Sequence, residues 1–114
     1  MQVVVNGRSE SVLLLPIKQP WYDMILSGEK KEEYRTFNSY YMVRLRNHGL
    51  LERDGETSTG KARIVMFRNG YSAKSPSFLA KCTVSVHIGG RPEWGAEQGV
   101  TYYVLEIREV IKEW

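Results

Sequence analysis

The chain has 114 residues, 42% of them apolar and 25% charged, a balance that fits one globular domain and excludes a disordered segment. No apolar run approaches the roughly 20 residues of a membrane-spanning helix, and Val12–Leu15 is too short for a signal-peptide core. The single cysteine, Cys82, excludes an internal disulfide and a multi-cysteine zinc site, so a reducing, cytoplasmic setting is the expectation.

The formal net charge is +3, unevenly spread. Residues 1–29 carry net −1, residues 30–91 net +7 and residues 92–114 net −3. A basic middle fits a phosphate-bearing partner, and equally a solvated surface.

The chain opens with Val3–Val5, Asn6-Gly7 and then Val12–Leu15. Asn-Gly favours a tight turn because both residues tolerate positive φ. Residues 1–11 therefore fit an extra hairpin strand or a frayed N-terminal extension ahead of a domain over 12–114. Ser11–Ile17 predicts a strand buried on both faces, with Pro16 confined to an edge or bulge because it cannot donate to a ladder.

Gln19–Ser27 predicts a short helix. Pro20 suits its first turn, Trp21, Met24, Ile25 and Leu26 form the apolar stripe, and Gly28 sits at the C′ position. Lys31–Arg35 predicts a strand with Lys31, Glu33 and Arg35 on one face and Glu32 and Tyr34 on the other. Asn38-Ser39 offers an N-cap for a second helix over Ser39–Asn47, closed by His48-Gly49.

The stretch 52–61 has no apolar residue and predicts a mobile surface loop. Three strands follow, over Ala62–Arg68, Phe78–Ile88 and Val100–Val110. Helices early and long sequential strands late predict an α+β fold, a mixed barrel of five or six strands with two flanking helices.

The run from Gly28 to Arg35 (GEKKEEYR) carries the chemistry. It places Lys30, Glu33 and Arg35 within six residues at a helix-to-strand turn. Glu33 and Arg35 share a strand face, so the carboxylate is oriented between two cations and Arg35 can offer a rigid fork to a phosphate or planar group. The same residues also fit ordinary surface salt bridges, each contributing about 0–1 kcal/mol.

With the upstream strand ending at Lys18 and the helix through Trp21 and Met24–Ser27, this run resembles the ASCH domain (activating signal cointegrator homology). The family pattern Gly-x-Lys-x-x-Glu-x-Arg is matched at Gly28, Lys30, Glu33 and Arg35. The resemblance spans about residues 12–110. It implies a PUA-like β-barrel and a cleft that binds RNA or a nucleotide, lined by Lys18, Lys30, Glu33 and Arg35. One branch, the small bacterial acetylcytidine amidohydrolases, has a nucleophilic Thr where this chain has Glu33, so that route does not carry over. Another class of small members cleaves RNA, which keeps a metal-independent ribonuclease or a hydrolase of modified nucleosides open, with Lys30 or Glu33 as acid–base group.

Tyr71, in the loop after the Ala62–Arg68 strand, is placed either to stack on a base or to pack on the barrel rim. Trp21 reads as core, Trp94 as a partly exposed cap for the cleft, and Cys82 as a small core hydrophobe. His48 and His87 have no metal-ligand spacing; His87 points off the core face and becomes a base only if it meets the cleft. At most one of Arg44 and Arg46 faces the cleft. The expectation is a binding module without cofactor or metal. Lys18, Lys30 and Arg35 contact phosphate or a base edge, Glu33 accepts a base amino group, and Tyr71 stacks.

Overall fold

The computed structural model describes residues 1–112 and residue 114. Strands β1 (Gln2–Val5) and β2 (Arg8–Ser11) form a hairpin. Then come β3 (Leu13–Ile17), helix α1 (Gln19–Ser27), β4 (Glu32–Thr36), helix α2 (Ser39–Asn47), β5 (Arg63–Asn69), β6 (Ser77–Ile88) and β7 (Thr101–Ile111). A 3-10 turn at Pro92–Trp94 joins the last two strands. Neither helix is long and apolar enough to cross a membrane.

The predicted α+β class holds, with two helices and five strands in the main sheet among the described residues. The sheet runs β3-β5-β6-β7-β4, with β3 parallel to β5 and all other pairs antiparallel. It curls into a half-barrel rather than a closed barrel, because β3 and β4 are its two edges and do not pair. Opposite Lys81-Cys82 the register skips Arg108 in β7, and such a bulge bends the strand and raises its twist.

Side-chain alternation divides the apolar residues between the sheet's two faces. Val65, Phe67, Phe78, Ala80, Cys82 and Val84 enter the main core, beneath α1 and α2. Met66 and Leu79 face the other way and meet Val5, Val12 and Ile111 in a second cluster, with Val3 and Leu14 against it. The N-terminal residues are thus a hairpin that covers the outer face of the sheet. Asn6 and Gly7 both take positive φ, 50° and 81°, as a tight two-residue turn demands. This is why β3 reads as apolar on both faces.

Helix α1 has the predicted bounds, and Gly28 closes it at φ 88°. Its buried residues are Tyr22 and Ile25, whereas Leu26 is exposed. Tyr22 takes the core position because its ring meets Phe78 edge-on at 4.9 Å. Helix α2 also has the predicted bounds, and the Asn38 side chain accepts from the Tyr41 N–H at 3.0 Å. His48, at its end, is anchored to β5 by an Nε2–H donating to the Ile64 carbonyl at 2.7 Å; burial pushes its pKa down.

The polar stretch 52–61 is tied to the core. Leu51 bridges Ser58, and the buried Tyr103 hydroxyl donates to the Gly55 carbonyl at 2.6 Å. Gly55 lies against the Met42 thioether, so the expectation of a wholly surface loop is corrected at its centre.

Candidate functional site

The site lies at the seam between the unpaired edges of the half-barrel. Pro16–Gln19 come from the end of β3 and the start of α1, Glu33–Thr36 from β4, and Asn69–Tyr71 from the end of β5. With Trp21 and Tyr41 they line a cleft of about 660 Å³. Pro16 suits this place. Its carbonyl faces the seam rather than β5, so its missing N–H falls on the unpaired edge and costs no ladder bond.

Beneath the cleft is a buried charge triad. Glu33 is the hinge: its Oε1 stands 3.3 Å from the Lys30 Nζ and its Oε2 stands 2.7 Å from the Arg35 Nη2. The same Arg35 Nη2 donates to the Pro16 carbonyl at 2.9 Å, and Nη1 donates to the Tyr41 hydroxyl at 3.3 Å. Arg35 therefore spans the seam, joining β4 to β3 by side chain where no backbone ladder does.

Lys30 is 1% exposed. Taking an ammonium out of water costs several kcal/mol unless it is compensated. Compensation comes from the Glu33 carboxylate, the Trp94 carbonyl at 2.5 Å, and the ring faces of Trp21 and Tyr34 at 4.9 and 5.0 Å. Desolvation still outweighs the attraction of Glu33 and pushes the Lys30 pKa below its ordinary value.

Tyr34 is fixed from both sides. Its hydroxyl donates to the Glu32 carboxylate at 2.6 Å and accepts from the Arg91 N–H at 3.0 Å. Burial, reinforced by the bond to Glu32, raises its pKa to about 12. Its ring lies so close to Gly90 that a Cβ there would stand 2.5 Å from it, which is why position 90 is glycine.

The predicted neighbours Lys30, Glu33 and Arg35 are brought together, and Lys18 shares the cleft with Glu33 and Arg35. Lys18, Glu33, Arg35 and Tyr71 line the cleft, whereas Lys30 lies behind Glu33 and outside the lining. Arg35 is not a free fork: both its terminal nitrogens already donate within the protein. Tyr71 is 90% exposed at the rim, so the rim-packed alternative is not what the fold uses. Trp94 does not cap the cleft; its carbonyl holds Lys30 and its ring lies under the Arg91 guanidinium at 4.6 Å. His87 is exposed on β6, outside the cleft, and Cys82 is a buried core thiol whose pKa burial pushes up.

Spacing alone missed Trp21, Tyr34, Tyr41 and Asn69 as cleft residues. For Trp21 a signal was present, since it is three positions after Lys18 and one helical turn before Met24. For Tyr41 and Asn69 the seam itself is the cause, and it forms only on folding. No family model, no curated protein and no solved structure matches this chain.

Two consequences are testable. Glu33→Gln leaves two buried cations facing each other and should cost about 3–5 kcal/mol in urea unfolding. Adding Lys30→Met should recover part of that loss; strict additivity would mean that the pair is not coupled. Second, unfolded Tyr34 ionises near pH 10 whereas the folded hydroxyl holds its proton to about pH 12. The folded state then binds more protons, so stability falls with pH across that window. The stability difference between wild type and Tyr34→Phe should therefore shift against the wild type from pH 10 to 12. A pH-independent difference would contradict the assignment.

Proposed function

We propose that this chain is a small cytoplasmic RNA- or nucleotide-binding module, a PUA-like domain of ASCH type, whose ligand enters the seam between β3 and β4. The observation that carries this reading is the cleft of about 660 Å³ that sets an aromatic lining over a triad of net charge +1. A floor with excess positive charge in a partly desolvated cleft attracts phosphate and base carbonyl oxygens. The rings of Trp21, Tyr34 and Tyr41 and the exposed Tyr71 supply faces for a base.

The residues divide the work. Lys18, exposed at the rim, meets a phosphate as a mobile point charge. Arg35 offers a remaining Nη1–H, since its Nε–H is buried and has no partner among the described residues. Glu33 retains carboxylate lone pairs for a base amino group. Lys30 acts through Glu33, holding the carboxylate in place from behind.

A second reading is catalytic. The depressed Lys30 pKa beside a carboxylate at 3.3 Å is the environment in which lysine serves as an acid–base group, as a metal-independent ribonuclease or a hydrolase of modified nucleosides requires. Its enclosure by Trp21, Tyr34 and the Trp94 carbonyl makes binding the stronger reading.

The test is fluorescence anisotropy with labelled single-stranded RNA, beside a gel assay for cleavage with and without chelator. Lys18→Ala should weaken binding about fivefold or more and flatten its salt dependence. Arg53→Ala, in the solvated loop, should change little. Equal, small effects from Lys18→Ala, Arg35→Lys and Arg53→Ala would remove the cleft from consideration. Cleavage lost in Lys30→Met with binding retained would favour the catalytic reading.

A further inference from the structure

A row of two rings between two cations leaves the cleft along helix α2. Arg35, on the floor, donates to the Tyr41 hydroxyl, and its guanidinium carbon is 5.7 Å from the Tyr41 ring. Tyr41 meets Tyr40 edge-on, with centroids 5.0 Å apart and planes at 86°. The Arg44 guanidinium lies over the Tyr40 ring at 4.7 Å. The row thus begins in the cleft and ends in solvent, with Tyr40 57% exposed and Arg44 exposed.

Neither Tyr40 nor Arg44 supports the core, which α2 enters through Leu45. The charge around them is one-sided. From Tyr34 to Leu51 the chain has three arginines, Arg35, Arg44 and Arg46, and no Asp or Glu. An exposed ring under a guanidinium offers a base a stacking surface and a neighbouring phosphate a cation.

We propose that Tyr40 and Arg44 form a second nucleotide subsite, so that the ligand is single-stranded RNA of at least two nucleotides rather than a free mononucleotide. One base occupies the cleft. The strand then passes over Tyr41, the adjoining base stacks on the Tyr40–Arg44 pair, and its phosphate lies against the Arg44 guanidinium. This rests on the cleft being the nucleotide site proposed above, and it specifies how many nucleotides are read and in which direction the strand leaves.

The experiment measures the ratio of two affinities on the full chain. AMP and a labelled oligoadenylate of about five residues are compared by anisotropy and competition. In the wild type the oligomer should bind at least about tenfold tighter than AMP, the increment of one added stacked base. Tyr40→Ala and Arg44→Gln should each reduce that ratio several-fold, and both side chains are exposed, so folding is not at risk. A ratio near one in the wild type would overturn the second subsite while leaving the cleft as a mononucleotide site. A high ratio unchanged in both variants would also overturn it and place the strand elsewhere, past Tyr71. Failure of both ligands to bind would overturn the subsite together with the cleft reading.

Discussion

One buried ammonium organises this molecule. Lys30 has almost no access to water, so the fold must replace the water it has lost. It does so with groups from three places: the Trp21 ring from α1, the Glu33 carboxylate and Tyr34 ring from β4, and the Trp94 carbonyl from the turn between β6 and β7. Glu33 then commits Arg35, and Arg35 reaches the Pro16 carbonyl of β3 and the Tyr41 hydroxyl of α2. A single line of side chains thus joins five elements, no two of which pair directly in the backbone ladder. The half-barrel stays open between β3 and β4, and the triad spans the gap. A buried ion pair of this kind contributes little net stability against an apolar replacement, so its value lies in fixing one arrangement of the seam.

The same constraint shapes the cleft. Because Glu33 and Arg35 are held by internal partners, their remaining donors and acceptors are set before any ligand arrives, and little ordering entropy remains to be lost on binding. The cost is that Arg35 has only part of its donor set to offer. Among the described cleft residues, the cation left for a ligand is Lys18, whose position at the N-terminal boundary of α1 follows from the strand-to-helix turn at Pro16–Pro20. Affinity for a charged ligand is then divided between a rigid floor and a mobile rim, which favours an anion steered by the rim and oriented by the floor.

Much of the secondary structure was legible in local signals. Pro20 and Gly28 bracket α1, Asn38 and His48 bracket α2, and strand-like apolar runs mark β5, β6 and β7. The spacing of Lys30, Glu33 and Arg35 announced that these side chains meet. Other features were not legible because they belong to tertiary structure. The parallel pairing of β3 with β5 joins segments some fifty residues apart, and no local pattern encodes it. Tyr22 rather than Leu26 fills the core because Phe78 stands opposite, and Phe78 comes from a distant strand. Lys30 sits in the run Glu29–Glu33, where every neighbour is charged, so burial of one member has no local mark. The anchoring of 52–61 depends on one carbonyl, Gly55, meeting one hydroxyl, Tyr103.

The seam and its cleft depend on the burial of Lys30. Nitrogen-15 NMR of the lysine side chains reads it directly, since a buried ammonium exchanges its protons slowly and titrates at its own pKa. The Lys30 Nζ signal should persist as a slowly exchanging ammonium with a scalar or through-space connection to the Trp94 carbonyl and the Trp21 ring. Its midpoint should lie below the ordinary lysine value of about 10.4. A Lys30 ammonium in fast exchange that titrates at the ordinary value would contradict the buried triad, and with it the structural basis of the cleft.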